Sequence, residues 1–267
     1  MSREDAPDTE TDTDTDTDSH EVDAEALAEA YNRGLACERA GDVDGAAAAF
    51  RAALAIDPAD RGGVSVRLAA LGRAAAPPAA PPAYVATLFD QHAARFDEIL
   101  VDQLGYSAPL LARDALAAAG VGEIGALLDL GCGTGLFGEA MAGRAARAVG
   151  VDLSENMLAL AHEKDAYDAL YLGEAVAFLA EAEGDDEDPD LPAVFDVIAA
   201  LDVLPYLGAL EGLFDGVAAR LAPGGSAVFS SEALGAGAGA DWAVGPKHRF
   251  AHSEAYLRRL LAERGLT

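Results

Sequence analysis

From Leu127 onward, short and nearly continuous apolar runs alternate with stretches whose apolar residues recur at helical spacing. The runs at Leu127–Leu130, Ala148–Val151, Tyr167–Leu172, Val194–Ala200 and Ser226–Ser230 read as buried strands. Between them, helices are predicted over Gly135–Ala145, from a Ser154 cap to near His162, over Ala175–Ala182 and over Leu207–Leu221, with Ala108–Ala119 as a helix ahead of the first strand. Strands that alternate with helices specify an α/β domain: a mostly parallel sheet with helices on both faces.

The first third of the chain follows a different period. Residues 1–23 carry the alternation TDTDTDTD and too little apolar surface to offset chain entropy, so a disordered acidic tail is expected. Residues 24–75 read as helices. Gly34, Gly41, Ala46, Phe50, Ala53 and Pro58 fall on the offsets of one tetratricopeptide repeat, with small residues where two helices touch and an aromatic filling the crossing. Val64–Leu71 looks like the first helix of a further unit. Because one repeat rarely stands alone, packing on the neighbouring domain is expected, with recruitment of a protein partner as the other reading. Residues 76–83 form a Pro/Ala-rich linker, and residues 84–267 make the α/β domain, preceded by two short helices in which Phe89 and Phe96 read as core anchors.

The chemistry concentrates in LLDLGCGTG. Gly131, Gly133 and Gly135 lack a Cβ, which permits positive φ and lets a ligand approach the main chain closely. A dinucleotide fingerprint would place its third glycine where Leu136 stands, so a nicotinamide enzyme is disfavoured. The next strand ends in GVDLSENML, placing Asp152 where an acid can accept both hydroxyls of a ribose. In these two segments and in the LAPGG turn before the fifth strand, the chain resembles the class I S-adenosylmethionine-dependent methyltransferases, with a Rossmann-like sheet. The resemblance implies S-adenosylmethionine as cofactor, held by Asp129, Gly131, Gly133, Gly135, Asp152, Leu153, Met157, Glu174 and Asp202. It also implies a lid from LFDQHAARFD, with Tyr84, Phe89 and His92 near the ligand. The family sheet has two further strands after the fifth; here a helix alone is expected to follow, which reads as a truncated product or as an edge covered by another chain.

The segment WAVGPKHRFAHSEAYLRRLL is expected to bring Trp242, His248, Arg249, His252 and Tyr256 towards the cleft; His248 and His252 are the base candidates, since an imidazole titrates near neutrality, and Glu232 and Asp202 are the acidic ones. No metal-ligand spacing such as HExxH or paired CxxC occurs in the sequence. The fourth strand delivers LDVLPY rather than an Asn-Pro-Pro-Tyr signature, which disfavours planar amide or adenine acceptors and leaves a small hydroxyl, carboxyl or amine compound.

Composition narrows the partners. The 267-residue chain has a formal charge of -28, so a nucleic-acid substrate would have to be engaged against the mean field of the protein. This acidity reads equally as adaptation to concentrated salt or as an acidic tail with codon bias. No apolar run suits a membrane span, the amino terminus is acidic where a signal peptide is basic, and Cys37 and Cys132 are far apart; a cytoplasmic protein without disulfides is expected. A methyltransferase of small molecules is therefore the leading expectation, with a catalytically silent cofactor-binding and partner-recruiting module as the alternative.

Overall fold

The apolar runs form strands whose alternate residues feed two cores, one on each face of a single sheet. The computed structural model describes residues 22–181, 191–235 and 239–267. Most of the expected acidic tail, the acidic loop Gly184–Asp190 and part of the glycine-alanine stretch Gly235–Ala240 lie outside the described residues. Strands β1 (Ile124–Leu130), β2 (Ala145–Asp152), β3 (Ala169–Leu172), β4 (Phe195–Ala200) and β5 (Leu221–Phe229) pair in the order β3-β2-β1-β4-β5, all parallel. Leu128 lies opposite Val149 of β2 and Ile198 of β4. The chain starts in the middle of the sheet, runs outward through β2 and β3, then crosses back to β4, which opens a crevice beyond the carboxyl ends of β1 and β4.

Leu128, Leu130, Val149 and Val151 pack on one face against Leu179 of α8 (Ala175–Glu181), Phe214 of α9 (Glu211–Arg220) and Leu260 of α10 (Glu254–Glu263). On the other face Leu127, Val197 and Ala199 meet Leu116 of α5 (Ala108–Ala118) and Phe137 of α6 (Leu136–Ala140). Helix α7 (Glu155–Glu163) starts at the expected Ser154 cap, whose hydroxyl accepts from the Met157 amide at 3.1 Å.

Three boundaries differ from the sequence reading. Helix α6 stops at Ala140 rather than Ala145, because Gly143 takes a left-handed φ of 71° and turns the chain into β2. The helix expected from Leu207 begins at Glu211, since the Gly208 and Ala209 amides donate to the Pro78 carbonyl instead of to a helical ladder. Beyond β5, where one helix alone was expected, β6 (Glu232–Ala233), β7 (Trp242–Val244) and β8 (Phe250–His252) form a separate mixed sheet in the order β6-β8-β7.

The first helices, α1 (Ala24–Ala40) and α2 (Val43–Ile56), form a pair closed by Gly41 in the left-handed region and by the Asp42 carboxylate, which accepts from the Gly45 amide at 2.9 Å. Phe50 is fully buried, and a Cβ on Gly34 would stand 2.4 Å from its ring, so only glycine fits where the helices cross. Helix α3 (Val64–Ala70) then carries Val66 into a cluster with Ala80, Val85 and Phe250, while Glu38 lies 3.1 Å from Arg67 and 3.4 Å from His248.

The Pro/Ala-rich segment is not a free spacer. It lies antiparallel along the turn after β4, with the Ala80 amide donating to the Tyr206 carbonyl at 2.8 Å and Ala79 bridging Leu207. Helix α4 (Pro82–His92) follows, then one 3-10 turn and a π-helical turn at Glu98–Gln103. Among the described residues, no helix is long and apolar enough to cross a membrane, and both cysteines are free thiols.

Because Phe50 fills the crossing of α1 and α2, Phe50→Ala is expected to cost about 3–5 kcal/mol of the stability of that region. Denaturant unfolding followed by far-UV dichroism checks this; a loss below about 1 kcal/mol would show that the crossing collapses without it.

Candidate functional site

Each glycine of the bend is required for a separate reason. All three have positive φ: 68° at Gly131, 54° at Gly133 and 87° at Gly135. A Cβ on Gly131 would stand 2.5 Å from Val203 after β4, and one on Gly135 would press on Tyr167 and Ala161 at 3.3–3.4 Å. Those two positions serve packing. At Gly133 the nearest atom to an added Cβ is in the Phe96 ring at 4.0 Å, so that group would project into open space.

The space is a cavity of about 600 Å³ at the carboxyl rim of the sheet. Its floor is Asp129, Gly131 to Thr134, Asp152, Leu153, Glu174 and Asp202. Its roof comes from α4 and the turns after it, chiefly Leu88, Phe89, His92, Phe96, Ile99 and Leu100. Phe89 stacks edge-on against both Phe96 and Tyr206, with centroids 5.9 and 5.4 Å apart. These two phenylalanines, expected as core anchors, are walls of the cavity.

Asp152 ends β2 and is almost fully buried. Its Oδ2 accepts from the Gly133 amide at 2.8 Å and its Oδ1 from the Ser154 amide at 2.9 Å. Burial pushes its carboxyl up from the usual range, while the amides of Ser154, Gly133 and Leu153 pull it back. Asp129 is more enclosed: burial drives its pKa up to about 7, opposed by the Tyr167 hydroxyl, which donates to Oδ2 at 2.6 Å, and reinforced by the Asp152 charge. Tyr167 also accepts from the Gly138 amide at 3.1 Å, so one phenol ties the start of α6 to the acid of β1.

Two carboxylates hold the roof down. Asp90 of α4 accepts from the Ser154 hydroxyl at 2.5 Å and the Asn156 amide at 3.3 Å. Asp97 accepts from the Thr134 hydroxyl at 2.5 Å and pairs with Lys164 at 2.6 Å. Both anchors fall within two residues of the amides that Asp152 binds.

The other end of the cavity lies over β4 and the start of the small sheet. Asp202 has a left-handed φ of 57°, and its amide donates to the Ser230 hydroxyl at 2.7 Å. The Tyr106 hydroxyl donates to its carboxylate; burial and that bond raise the tyrosine pKa. Arg249 lies beside Tyr206, its guanidinium carbon 5.7 Å from the ring centroid.

Several expected site residues sit elsewhere. Gly135 does not line the cavity, for the packing reason given above. Met157 is fully buried in the core beneath α7. His252, also buried, donates from Nε2 to the Leu207 carbonyl at 2.8 Å and faces the Ser231 hydroxyl through Nδ1 at 3.0 Å, the tautomer that its carbonyl partner dictates. It stacks on Tyr256, and burial lowers its pKa. His248 turns away to Glu38 of α1, its pKa lowered first by burial and then by Arg67. The expectation that both histidines face the cleft is thus corrected: one braces the turn after β4 and the other joins the N-terminal helices. Glu232 stands behind Arg249, 2.7 Å from its Nε, and does not line the cavity; Tyr84 packs over Gly63 and does not line it either. Conversely Thr134, Tyr106 and Arg249 line it without having been assigned roles from the sequence. Thr134 was legible as part of the bend, whereas no spacing marks Tyr106 or Arg249.

Residues 128–227, from β1 through most of β5, match a family model described as a methyltransferase domain. Over 105 residues the chain is 37% identical to a ubiquinone biosynthesis O-methyltransferase of Idiomarina loihiensis, covering 39% of this chain and 41% of that protein. The enzyme of the same name from an Azoarcus species is 34% identical, covering 39% and 43%. The chain therefore aligns with less than half the length of these curated relatives. In three dimensions it is similar to an S-adenosylmethionine-dependent methyltransferase of Leishmania major, with a TM-score of 0.52 and 16% identity over 69% of this chain and 72% of that one. It is also similar to the magnesium protoporphyrin IX methyltransferase of Synechocystis, with a TM-score of 0.50 and 18% identity over 69% and 85%. At such identities the structural likeness concerns the fold alone. The sequence match itself spans the glycine bend, Asp152, Glu174 and the Asp202 rim.

Proposed function

We propose that this chain is an S-adenosylmethionine-dependent methyltransferase acting on an oxygen or nitrogen of a small-molecule acceptor. The observation that carries the reading is the open space above Gly133, bordered by Asp152 at the end of the adjacent strand. Residues 128–227 and their methyltransferase match support it.

The cavity fits the cofactor. Beyond the amides it accepts, the Asp152 carboxylate keeps capacity for a ribose hydroxyl, with Leu153 and Glu174 next along the wall toward the adenine side. S-adenosylmethionine supplies a methyl group on a positively charged sulfur, which leaves by in-line displacement. The chain's part is alignment and the exclusion of water by the aromatic roof. Asp129, held near neutrality by burial, gains a reason to ionise beside a cation. Asp202 stands on the rim where an O–H or N–H acceptor would lose its proton, and takes the base role in place of the two histidines. The N-terminal helices are read as one tetratricopeptide-like unit that caps the domain through α3. The acidic surface makes nucleic acid an unfavourable acceptor.

Calorimetry of the full chain is expected to show S-adenosylmethionine binding. Asp152→Ala should weaken it by roughly 10- to 100-fold, the loss of hydrogen bonds to a charged acceptor. Gly133→Val, which fills the open space, should abolish it. Correctly folded variants that retain full affinity would overturn the assignment, and tight binding without methyl transfer to any metabolite in an extract would favour a silent, partner-recruiting module.

A second expectation concerns pH. Between the unfolded carboxyl value, near 3.9, and about 7, folded Asp129 keeps a proton that the unfolded chain has released. Apo stability should therefore fall as pH rises from 4 to 8, and Asp129→Asn should flatten that fall by up to about 4 kcal/mol. Denaturant midpoints at pH 5 and 8 for both proteins measure it; parallel profiles would show that Asp129 is ionised throughout.

A further inference from the structure

Among the described residues lining the cavity, Arg249 is the only arginine or lysine. Its guanidinium is fixed from behind and only partly used. Nε lies 2.7 Å from Glu232 but is buried and not aligned for a hydrogen bond, Nη2 reaches Asp202 only at 3.5 Å, and Nη1 has no partner among the described residues. Tyr206 supports its face. Glu232 and Asp202 balance its charge but leave N–H donors of the fork unused, and the Asp202 carboxylate also takes the Tyr106 hydroxyl and the Ser230 hydroxyl at 3.4 Å. The left-handed backbone at Asp202, a conformation that non-glycine residues rarely adopt, is held by the same serine. The result is a pre-positioned fork with an open edge, in a cavity whose lining also includes the apolar Phe96, Leu100, Pro109 and Leu201 beside the acids of its floor.

We propose that Arg249 receives a carboxylate carried by the methyl acceptor, so that the acceptor class is an apolar or aromatic carboxylic acid. This rests on the methyltransferase reading above. A planar fork with free N–H groups matches a carboxylate in geometry as well as charge. The ribose and adenine ends of the cofactor are read at the far side of the crevice from Arg249, and the S-adenosylhomocysteine arm of the test separates the acceptor from the amino-acid end of the cofactor. Asp152 and Glu174 follow β2 and β3 at one side of the crevice, whereas Arg249 is anchored by groups that follow β4 and β5 at the other.

The test uses the full chain saturated with S-adenosylhomocysteine, and two probes of one shape, 3-phenylpropanoate and 3-phenylpropanamide, in calorimetry. The acid is expected to bind at least about 10-fold more tightly than the amide, as a charge-assisted bond requires. Arg249→Gln should erase that preference while leaving S-adenosylhomocysteine affinity unchanged, which also reports that the variant is folded. Arg249→Lys, which keeps the charge and loses the fork, should fall between. Equal binding of the two probes, or binding of neither, by a chain that binds S-adenosylhomocysteine would overturn the inference. A drop in S-adenosylhomocysteine affinity in Arg249→Gln would also overturn it, by giving the carboxylate to the cofactor. If the wild type binds no S-adenosylhomocysteine at all, the methyltransferase reading fails and this inference falls with it.

Discussion

The two amides that Asp152 holds, those of Gly133 and Ser154, set the geometry of everything around the cavity. Parallel pairing places the end of β2 beside the turn leaving β1, and the Val151 carbonyl already takes the amides of Gly131 and Cys132 at 2.8 and 3.0 Å. Asp152 extends that ladder by one side-chain step beyond the last strand residues. A carboxylate accepting backbone N–H groups is a strong, directional anchor, and burial strengthens it further. The bend is therefore rigid without any bulky side chain, and only a bend free of side chains leaves room for a ligand above it.

Electrostatics follow from the same arrangement. Asp129, Asp152, Glu174 and Asp202 all line one cavity in a chain whose formal charge is -28. Burial raises the pKa of Asp129 and of Asp152, and the Asp152 charge adds to the rise at Asp129. A cation entering such a space relieves the crowding. On the proposed reading that cation is the sulfonium of S-adenosylmethionine, whose charge is lost with its methyl group, so the acids would favour the cofactor before transfer over the product after it. Among the described residues of the lining, Arg249 at the far rim is the only arginine or lysine, which is why its open edge is chemically conspicuous.

The sequence was most legible where local rules and tertiary position coincide. LLDLGCGTG and GVDLSENML specify their own strands, turn and cap, and the resulting topology alone brings Gly133, Asp152 and Asp202 to one rim. It was least legible after β5, where strands of two or three residues carry too few positions for a period to show. That region decides the orientation of His248, His252 and Arg249. Of the five residues expected towards the cleft, Trp242, His248, Arg249, His252 and Tyr256, Arg249 lines it and the other four do not. Gly135 and Met157 failed differently: both belong to matching motifs, but one is required by Tyr167 and Ala161 and the other by the core.

The roof adds a last constraint. Asp90 and Asp97 tie α4 and the following turn to Ser154, Asn156, Thr134 and Lys164, so the segment that covers the cavity is fastened to the same two turns that form its floor. The apolar cluster of Val66, Ala80, Val85 and Phe250 fastens its other end to α3 and the small sheet. Lifting the roof must break the bonds of Asp90 and Asp97 near the bend, of which those to Ser154, Thr134 and Lys164 are short, at 2.5, 2.5 and 2.6 Å. The stretch after Asp97, where Val101 and Leu104 are exposed, lies beyond these fastenings. Among the described residues, the N-terminal helices add none to the cavity lining and bear on it through Val66 of α3, which packs against the amino-terminal end of the roof.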